Sequence, residues 1–135
     1  MFVLDSCICI DLMRGALPYA YKLMSESDPA LFKVPAVVAA ELFYGAENSA
    51  SPTENYLLVE RFLQPYEILP FNEACARAYA PIRHRLKEKG KPIGPNDLLI
   101  AATAIANQAT LVSNNSKEFA CIEGLRLENW YEIEM

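Results

Sequence analysis

Short apolar runs alternate with longer segments of helical periodicity along the whole of this chain. The apolar runs predict five strands, the last of them at a sheet edge: 2–4, 31–34, 66–69, 110–112 and 125–131. The first helix is predicted to begin near Cys7 with Ser6 as its cap. The other predicted helices cover about 18–27, 35–47, 53–63, 72–89 and 97–107. Because strands that alternate with helices pair in parallel, the sequence predicts an α/β fold, a three-layer α/β/α sandwich with a central, mostly parallel sheet.

A single domain over residues 1–135 is expected, because this length fits one ordinary domain and no linker or repeat interrupts it. Hydrophobic residues make up 53% of the chain, which is enough for a core without a disulfide or a structural metal. The four cysteines form no CxxC pair and His84 is the only histidine, which excludes a zinc site. We therefore expect reduced thiols and a reducing compartment.

The sequence shows no segment typical of export or of membrane insertion. Its first residues lack the basic and long apolar regions of a secretory signal. The longest uncharged stretch runs from Leu98 up to Lys117, and Thr, Asn, Gln and Ser interrupt its apolar character. The sequence thus predicts a cytoplasmic protein without membrane contact.

Charge is distributed unevenly along the chain. The net charge of −5 argues against broad affinity for nucleic acids. Half of the 12 Lys and Arg residues nevertheless lie in one segment: Arg77, Arg83, Arg85, Lys87, Lys89 and Lys91. These side chains either bind phosphates of a ligand or simply stabilise the C-terminal end of a helix. His84, in the same segment, is interpreted as a surface residue.

Three acidic residues occupy positions where a ligand site is expected. Asp5 follows the first predicted strand, Glu41 lies in an apolar helix, and Asp97 opens another helix. Ligands of open α/β sheets bind beyond the carboxyl ends of the strands. Carboxylates that converge there repel each other unless a cation compensates, and oxygen ligands favour Mg²⁺ or Mn²⁺. Asp5 and Asp97 have a second interpretation as helix caps.

Five stretches, in chain order, resemble the motifs of the PIN-domain family, and of VapC-like toxins in particular. They are Met1–Ser6, Ala40–Ala46, Ile93–Ala102, Leu111–Phe119 and Gly124–Trp130. The third is the most specific, and together the five cover essentially the whole chain. The resemblance implies an Mg²⁺-dependent endoribonuclease, the toxin of a toxin–antitoxin pair, which cleaves phosphodiester bonds in structured RNA such as tRNA and inhibits translation.

The resemblance also implies roles for particular residues. Asp5 and Asp97 would bind the metal, with Mn²⁺ as a possible substitute for Mg²⁺, and Glu41 would complete the site or orient the attacking water. Ser6 and Ser113 would position these groups. The residues implied in RNA binding are Arg83, Arg85, Lys87 and Lys91.

Two positions depart from the family pattern. Cys7 stands where many relatives have Asn, which predicts looser support around Asp5. Asn115 stands where many relatives have a fourth acidic residue. Either Asn115 holds a metal-bound water or Glu118 supplies the fourth catalytic carboxylate, unless Glu118 is only a solvent-facing helix residue.

The implied partners are an RNA substrate, most of all tRNA, and a VapB-like antitoxin whose carboxy-terminal tail wraps the toxin and blocks its site. A homodimer is also expected, because the helices near 12–24 and 56–63 carry more apolar side chains than one small core hides. A non-catalytic RNA-binding or regulatory PIN-like module is the main alternative, and the retained acidic trio argues against it. A phosphatase with an aspartyl intermediate would need a second Asp where Cys7 stands. DNA cleavage by the same metal chemistry stays open.

Overall fold

A single parallel sheet forms the centre of the protein, which is described here for residues 1–132 by a computed structural model. Its strands are β1 (Phe2–Leu4), β2 (Phe32–Pro35), β3 (Glu67–Leu69), β4 (Thr110–Val112) and β5 (Arg126–Glu128). Their spatial order is β3-β2-β1-β4-β5, and every neighbouring pair is parallel. The predicted parallel sheet and its edge strand near the C-terminus are therefore confirmed. Residues 133–135 of the predicted domain lie outside the described residues.

Helices flank this sheet and complete the predicted α/β/α class. They are α1 (Ser6–Met13), α2 (Pro18–Ser25), α3 (Ala36–Glu47), α4 (Pro52–Leu63), α5 (Glu73–Glu88), α6 (Pro95–Ala106) and α7 (Ser116–Phe119). Short 3₁₀ turns cover Pro29–Leu31 and Trp130–Glu132. Helix α5 packs on α6, and α3 packs on both α4 and α1. Within residues 1–132, no helix combines the length and the apolarity that crossing a bilayer requires.

The middle of the sheet is the core. Val3 and Leu4 of β1 and Leu111 and Val112 of β4 are fully buried, as expected for central strands covered on both faces. Much of the apolar surplus of α1, α2 and α4 joins this core. Four of its side chains nevertheless stay exposed: Tyr21, Leu23, Leu57 and Leu58.

Three details at the helix starts differ from the prediction. The cap of α1 is Asp5 and not Ser6, because Asp5 has an extended backbone and its carboxyl accepts from the amides of the first turn. Pro35 ends β2 in an extended conformation rather than opening a helix. Helix α6 begins at Pro95, so that Asp97 is its third residue and not its cap. The short helix α7 was not predicted as an element.

Candidate active site

Asp5 and Ser113 lie side by side because β1 and β4 are neighbours that end at the same level. Leu4 pairs in register with Val112, and the Asp5 amide donates to the Val112 carbonyl over 3.1 Å. The hydroxyl of Ser113 donates to Asp5 Oδ2 over 2.5 Å, although 108 positions separate the two residues. Both side chains are buried. The order of the strands therefore brings Asp5 and Ser113 together at one side of the site.

The other oxygen of Asp5 faces the start of α1. Asp5 Oδ1 accepts from the amide of Cys7 at 2.9 Å and from the amide of Ile8 at 3.4 Å. The Cys7 thiol also donates to this oxygen, over 2.8 Å. Amides of a helix N-terminus favour a negatively charged group. The carboxyl of Asp5 is thus held in one orientation by donors from two elements.

Asn115 links two further carboxyls. Its Nδ2 donates to Asp97 Oδ2 over 3.3 Å and to Glu118 Oε2 over 2.8 Å. Burial raises the pKa of Asp97, the charges of Asp5 and Glu118 raise it further, and the bond from Asn115 lowers it. Asp5 and Glu118 are therefore each close enough to Asp97 to repel its charged form.

Glu41 faces the same place from α3. Burial raises the pKa of its carboxyl, and the charges of Asp97 and Asp5 also raise it, while the side chains of Asn96 and Ser6 partly offset the rise. Within residues 1–132, Glu41 Oε1 is buried and has no partner at hydrogen-bonding distance. A buried oxygen without a hydrogen-bond partner lowers the stability of the folded protein, and a ligand bound to this atom would offset that loss.

These residues fit a hard divalent cation in their chemistry. The donors are oxygens, the carboxyls repel each other, and a cation would give Glu41 Oε1 the partner that it lacks. Within residues 1–132, no three His, Cys, Asp or Glu side chains lie close enough together to hold a metal ion in their present arrangement.

Cys7 contacts Asp5 at the position where the sequence predicted looser support than Asn would give. Its thiol makes a hydrogen bond to the Asp5 carboxyl. Burial and this bond raise the pKa of Cys7 to about 11, so the thiol keeps the proton that it donates. Sequence reasoning missed Cys7 and Asn96 as members of the site. Cys7 had been noted only as a departure from the family pattern, and Asn96 lies in the stretch Ile93–Ala102, which carried the resemblance.

The family model described as the PIN domain matches residues 2–124. Its match spans all four carboxyls brought together here. The chain belongs to the PIN-domain family. The resemblance seen in the sequence motifs is thereby confirmed.

Individual relatives match this PIN domain along nearly its whole length. Ribonuclease VapC2 of Rickettsia felis is 38% identical over 133 residues, which cover 96% of this chain and 98% of that protein. The tRNA(fMet)-specific endonuclease VapC of Shigella flexneri is 33% identical over 129 residues, covering 96% and 97%. The structure of DNA-bound VapBC from Salmonella typhimurium contains a similar chain, with a TM-score of 0.90, 32% identity and coverage of 96% and 97%.

The basic residues of this PIN domain form a separate, exposed face at the end of α5. Arg83 donates to the hydroxyl of Tyr79 over 2.9 Å, and its guanidinium lies 5.9 Å from the centre of that ring. Arg85, Lys87 and Lys91 are exposed. No ion pair among residues 1–132 joins these four to the carboxyls of the site. His84 lies on the surface as predicted, beside Glu88 at 2.9 Å.

A groove of about 580 Å³ reaches the site of the PIN domain from one side. It lies between α1, α2, α3 and α4, and Glu41 lines it. Most of its remaining lining is apolar, with Ile10, Leu42, Leu58 and Phe62 among the side chains. The groove therefore joins an apolar surface to the acidic site.

Proposed function

We propose that this PIN domain is an Mg²⁺-dependent endoribonuclease, the toxin of a toxin–antitoxin pair, that cleaves structured RNA such as tRNA and thereby inhibits translation. The observation that carries the proposal is the approach of Asp5 and Asp97 to Glu41, whose buried Oε1 has no partner within residues 1–132, with Glu118 joined to Asp97 through Asn115. The relatives named as ribonuclease and as tRNA(fMet)-specific endonuclease support the same activity. Mn²⁺ is the expected substitute ion.

In this proposal Asp5 and Asp97 would hold the ion, which would supply positive charge to the phosphate group and make water a better nucleophile. Ser113 and the amides of α1 keep the Asp5 carboxyl in place. Glu41 Oε1, which has no partner within residues 1–132, would complete the ion's set of ligands or orient the attacking water. Ser6 faces the Glu41 carboxyl and helps to position it.

The fourth position of the site combines two residues that the sequence offered as alternatives. Asn115 donates to Glu118 and to Asp97 at once. We therefore assign Glu118 as the fourth carboxylate and Asn115 as the side chain that keeps it beside Asp97. Both take part, and neither replaces the other.

Cleavage of total tRNA by the purified protein tests the activity. We expect cleavage with Mg²⁺, none with EDTA, and a loss of at least about 100-fold in Asp5→Asn and Asp97→Asn, because an ion supplies several kcal/mol of charge stabilisation. Glu47→Gln is the control, since it neutralises an exposed carboxylate at the far end of the helix that carries Glu41.

Equal cleavage with Mg²⁺ and with EDTA would refute the metal dependence. RNA binding without cleavage, unchanged in Asp5→Asn, would instead favour a non-catalytic RNA-binding module. A DNA strand of the same sequence, tested alongside, separates ribonuclease from deoxyribonuclease activity, because only RNA presents a 2′-OH.

A VapB-like antitoxin is the proposed inhibitor, and the groove is the site where we propose that it binds. Apolar side chains of an extended tail would fill the groove, and a basic side chain would meet the carboxyls at its Glu41 end. The similar chain from Salmonella typhimurium was solved as a VapBC complex. Leu58→Arg should weaken co-purification with the product of an adjacent short reading frame. Leu57→Arg should leave co-purification unchanged, because Leu57 is also an exposed leucine but does not line the groove.

A homodimer in the cytoplasm completes the proposal. Leu23 and Tyr44 remain exposed outside the groove and offer apolar surface to a second copy. All four cysteines are free, as a reducing compartment allows. Light scattering after size exclusion should give twice the chain mass of 15.1 kDa, and a mass of one chain at high concentration would refute the dimer.

A further inference from the structure

The two oxygens of the Asp5 carboxyl are used unequally. Among residues 1–132, Oδ1 accepts from the Cys7 amide, the Ile8 amide and the Cys7 thiol, whereas Oδ2 accepts only from Ser113. Each carboxylate oxygen offers about two lone-pair directions. Oδ1 is therefore saturated by the protein, and Oδ2 keeps one direction for another partner.

The Cys7 thiol is the part of this arrangement that depends on residue type. Any residue at this position would supply the amide of the helix start, but only a side chain with a donor supplies the third contact to Oδ1. The thiol also lies close to the backbone of Asn114 and to Ser113, on the segment that follows β4. Cys7 thus sits between the ends of the two central strands.

We infer that Cys7 is a positioning residue, whose thiol holds Oδ1 against the start of α1 and so leaves Oδ2 of Asp5 as the oxygen available to a divalent cation. The inference rests on the proposed function, because it concerns the same metal site. It assigns no ligand role to the sulfur. Its consequence is that removing the donor lets the carboxyl turn, which weakens ion binding.

Cys9 supplies a matched control two positions along the same helix. It is fully buried, and within residues 1–132 its thiol makes no hydrogen bond to the Asp5 carboxyl, so Cys9→Ala removes the same sulfur atom without touching that carboxyl. Cys7→Ser keeps a donor at the first position, whereas Cys7→Ala removes it. The three variants therefore separate hydrogen bonding from packing.

Calorimetric titration of the metal-free proteins with Mn²⁺ measures the effect directly. Loss of a group that orients a metal ligand costs about 10- to 100-fold in affinity, and we expect the lower end for a weak thiol donor. Cys7→Ala should thus raise the Kd about tenfold. Cys7→Ser should stay close to wild type, and Cys9→Ala should lower the Tm without changing the Kd. An unchanged Kd in Cys7→Ala, or an equal loss in Cys7→Ser or Cys9→Ala, would overturn the inference.

Crystal structures of metal-free wild type and Cys7→Ala give a readout that does not depend on ion binding. The Asp5 carboxyl should turn away from the start of α1 in the variant and keep its place in the wild type. If wild type binds no Mn²⁺, the metal claim of the proposed function fails, and these two structures still decide the role of Cys7. An identical Asp5 orientation in both would refute the positioning role.

Discussion

Asp5 and Glu41 lie at the same end of the sheet, yet the fold treats their carboxyls in opposite ways. Asp5 is 4% exposed, and both of its oxygens accept hydrogen bonds. Glu41 is less buried, but within residues 1–132 its Oε1 has no partner. Asp5 is therefore held by the framework of the fold, whereas Glu41 keeps a buried acceptor that no group in residues 1–132 satisfies.

The largest difference should appear in stability when Asp5 is removed. Asp5→Ala deletes the cap of α1, worth about 1 kcal/mol, and leaves the buried Ser113 donor without an acceptor, which costs about 1–3 kcal/mol. We expect the free energy of unfolding, measured with urea in EDTA, to fall by about 2–4 kcal/mol. Asp28→Ala is the control, because Asp28 caps an exposed turn. Equal losses in both variants would contradict a framework role for Asp5.

Glu41 should matter most when the ion is present. Mg²⁺ at a hundredfold excess over its Kd should stabilise the wild-type protein by about 2.7 kcal/mol. In Glu41→Gln this gain should shrink strongly at the same Mg²⁺ concentration, since the ion loses a charged partner. Thermal unfolding with and without Mg²⁺ measures both. A full gain in Glu41→Gln would show that the unpartnered oxygen plays no part in ion binding.

Without metal the effect of Glu41 should reverse its sign. Its pKa is raised above the ordinary value of 4.5, so the folded protein holds this proton more tightly than the unfolded chain. Stability therefore falls as pH rises from the ordinary value through the raised one. Glu41→Gln should lack this part of the decline and be the more stable protein in EDTA at neutral pH. Unfolding curves in EDTA across this range test it, and parallel profiles of the two proteins would count against the repulsion.

The smallest effects belong to the basic face, which lies apart from both carboxyls. Arg85→Gln should weaken RNA binding and reduce the slope of log affinity against log salt by about one unit per lost phosphate contact. Asp97→Asn, in which cleavage is expected to be lost, is the suitable background for the titration. Arg77→Gln is the control on the same helix, because Glu73 already pairs with Arg77 at 2.9 Å. Equal slopes in all proteins would remove this face from the RNA-binding surface.

The order of strands and helices was predictable because apolar periodicity carries it. β1 and β4 were found as strands from three residues each, since these residues are wholly apolar or nearly so and are followed by polar ones. The meeting of Asp5, Glu41 and Asp97 was predicted from motif resemblance together with the rule on strand ends. The structure adds how each carboxyl is held.

Details that depend on backbone geometry could not be predicted from the sequence. Both Asp5 and Ser6 are good caps, and only the extended backbone at Asp5 decides between them. The prediction for Cys7 considered only that it replaces Asn. It did not include the hydrogen bond that the thiol donates to the Asp5 carboxyl. The two hydrogen bonds from Asn115 depend on where α7 begins. A helix of one turn is too short to show helical periodicity in the sequence, so its start could not be predicted.

The neighbouring positions of β1 and β4 also set the time at which the site can exist. Asp5 is made 108 residues before its partner Ser113. Until β4 has emerged and closed that long loop, the nascent chain has no Ser113 to fix Asp5 and no Asn115 to join Asp97 and Glu118. A ribosome would thus add 108 further residues after Asp5 before the carboxyls of the site can be held in their final arrangement.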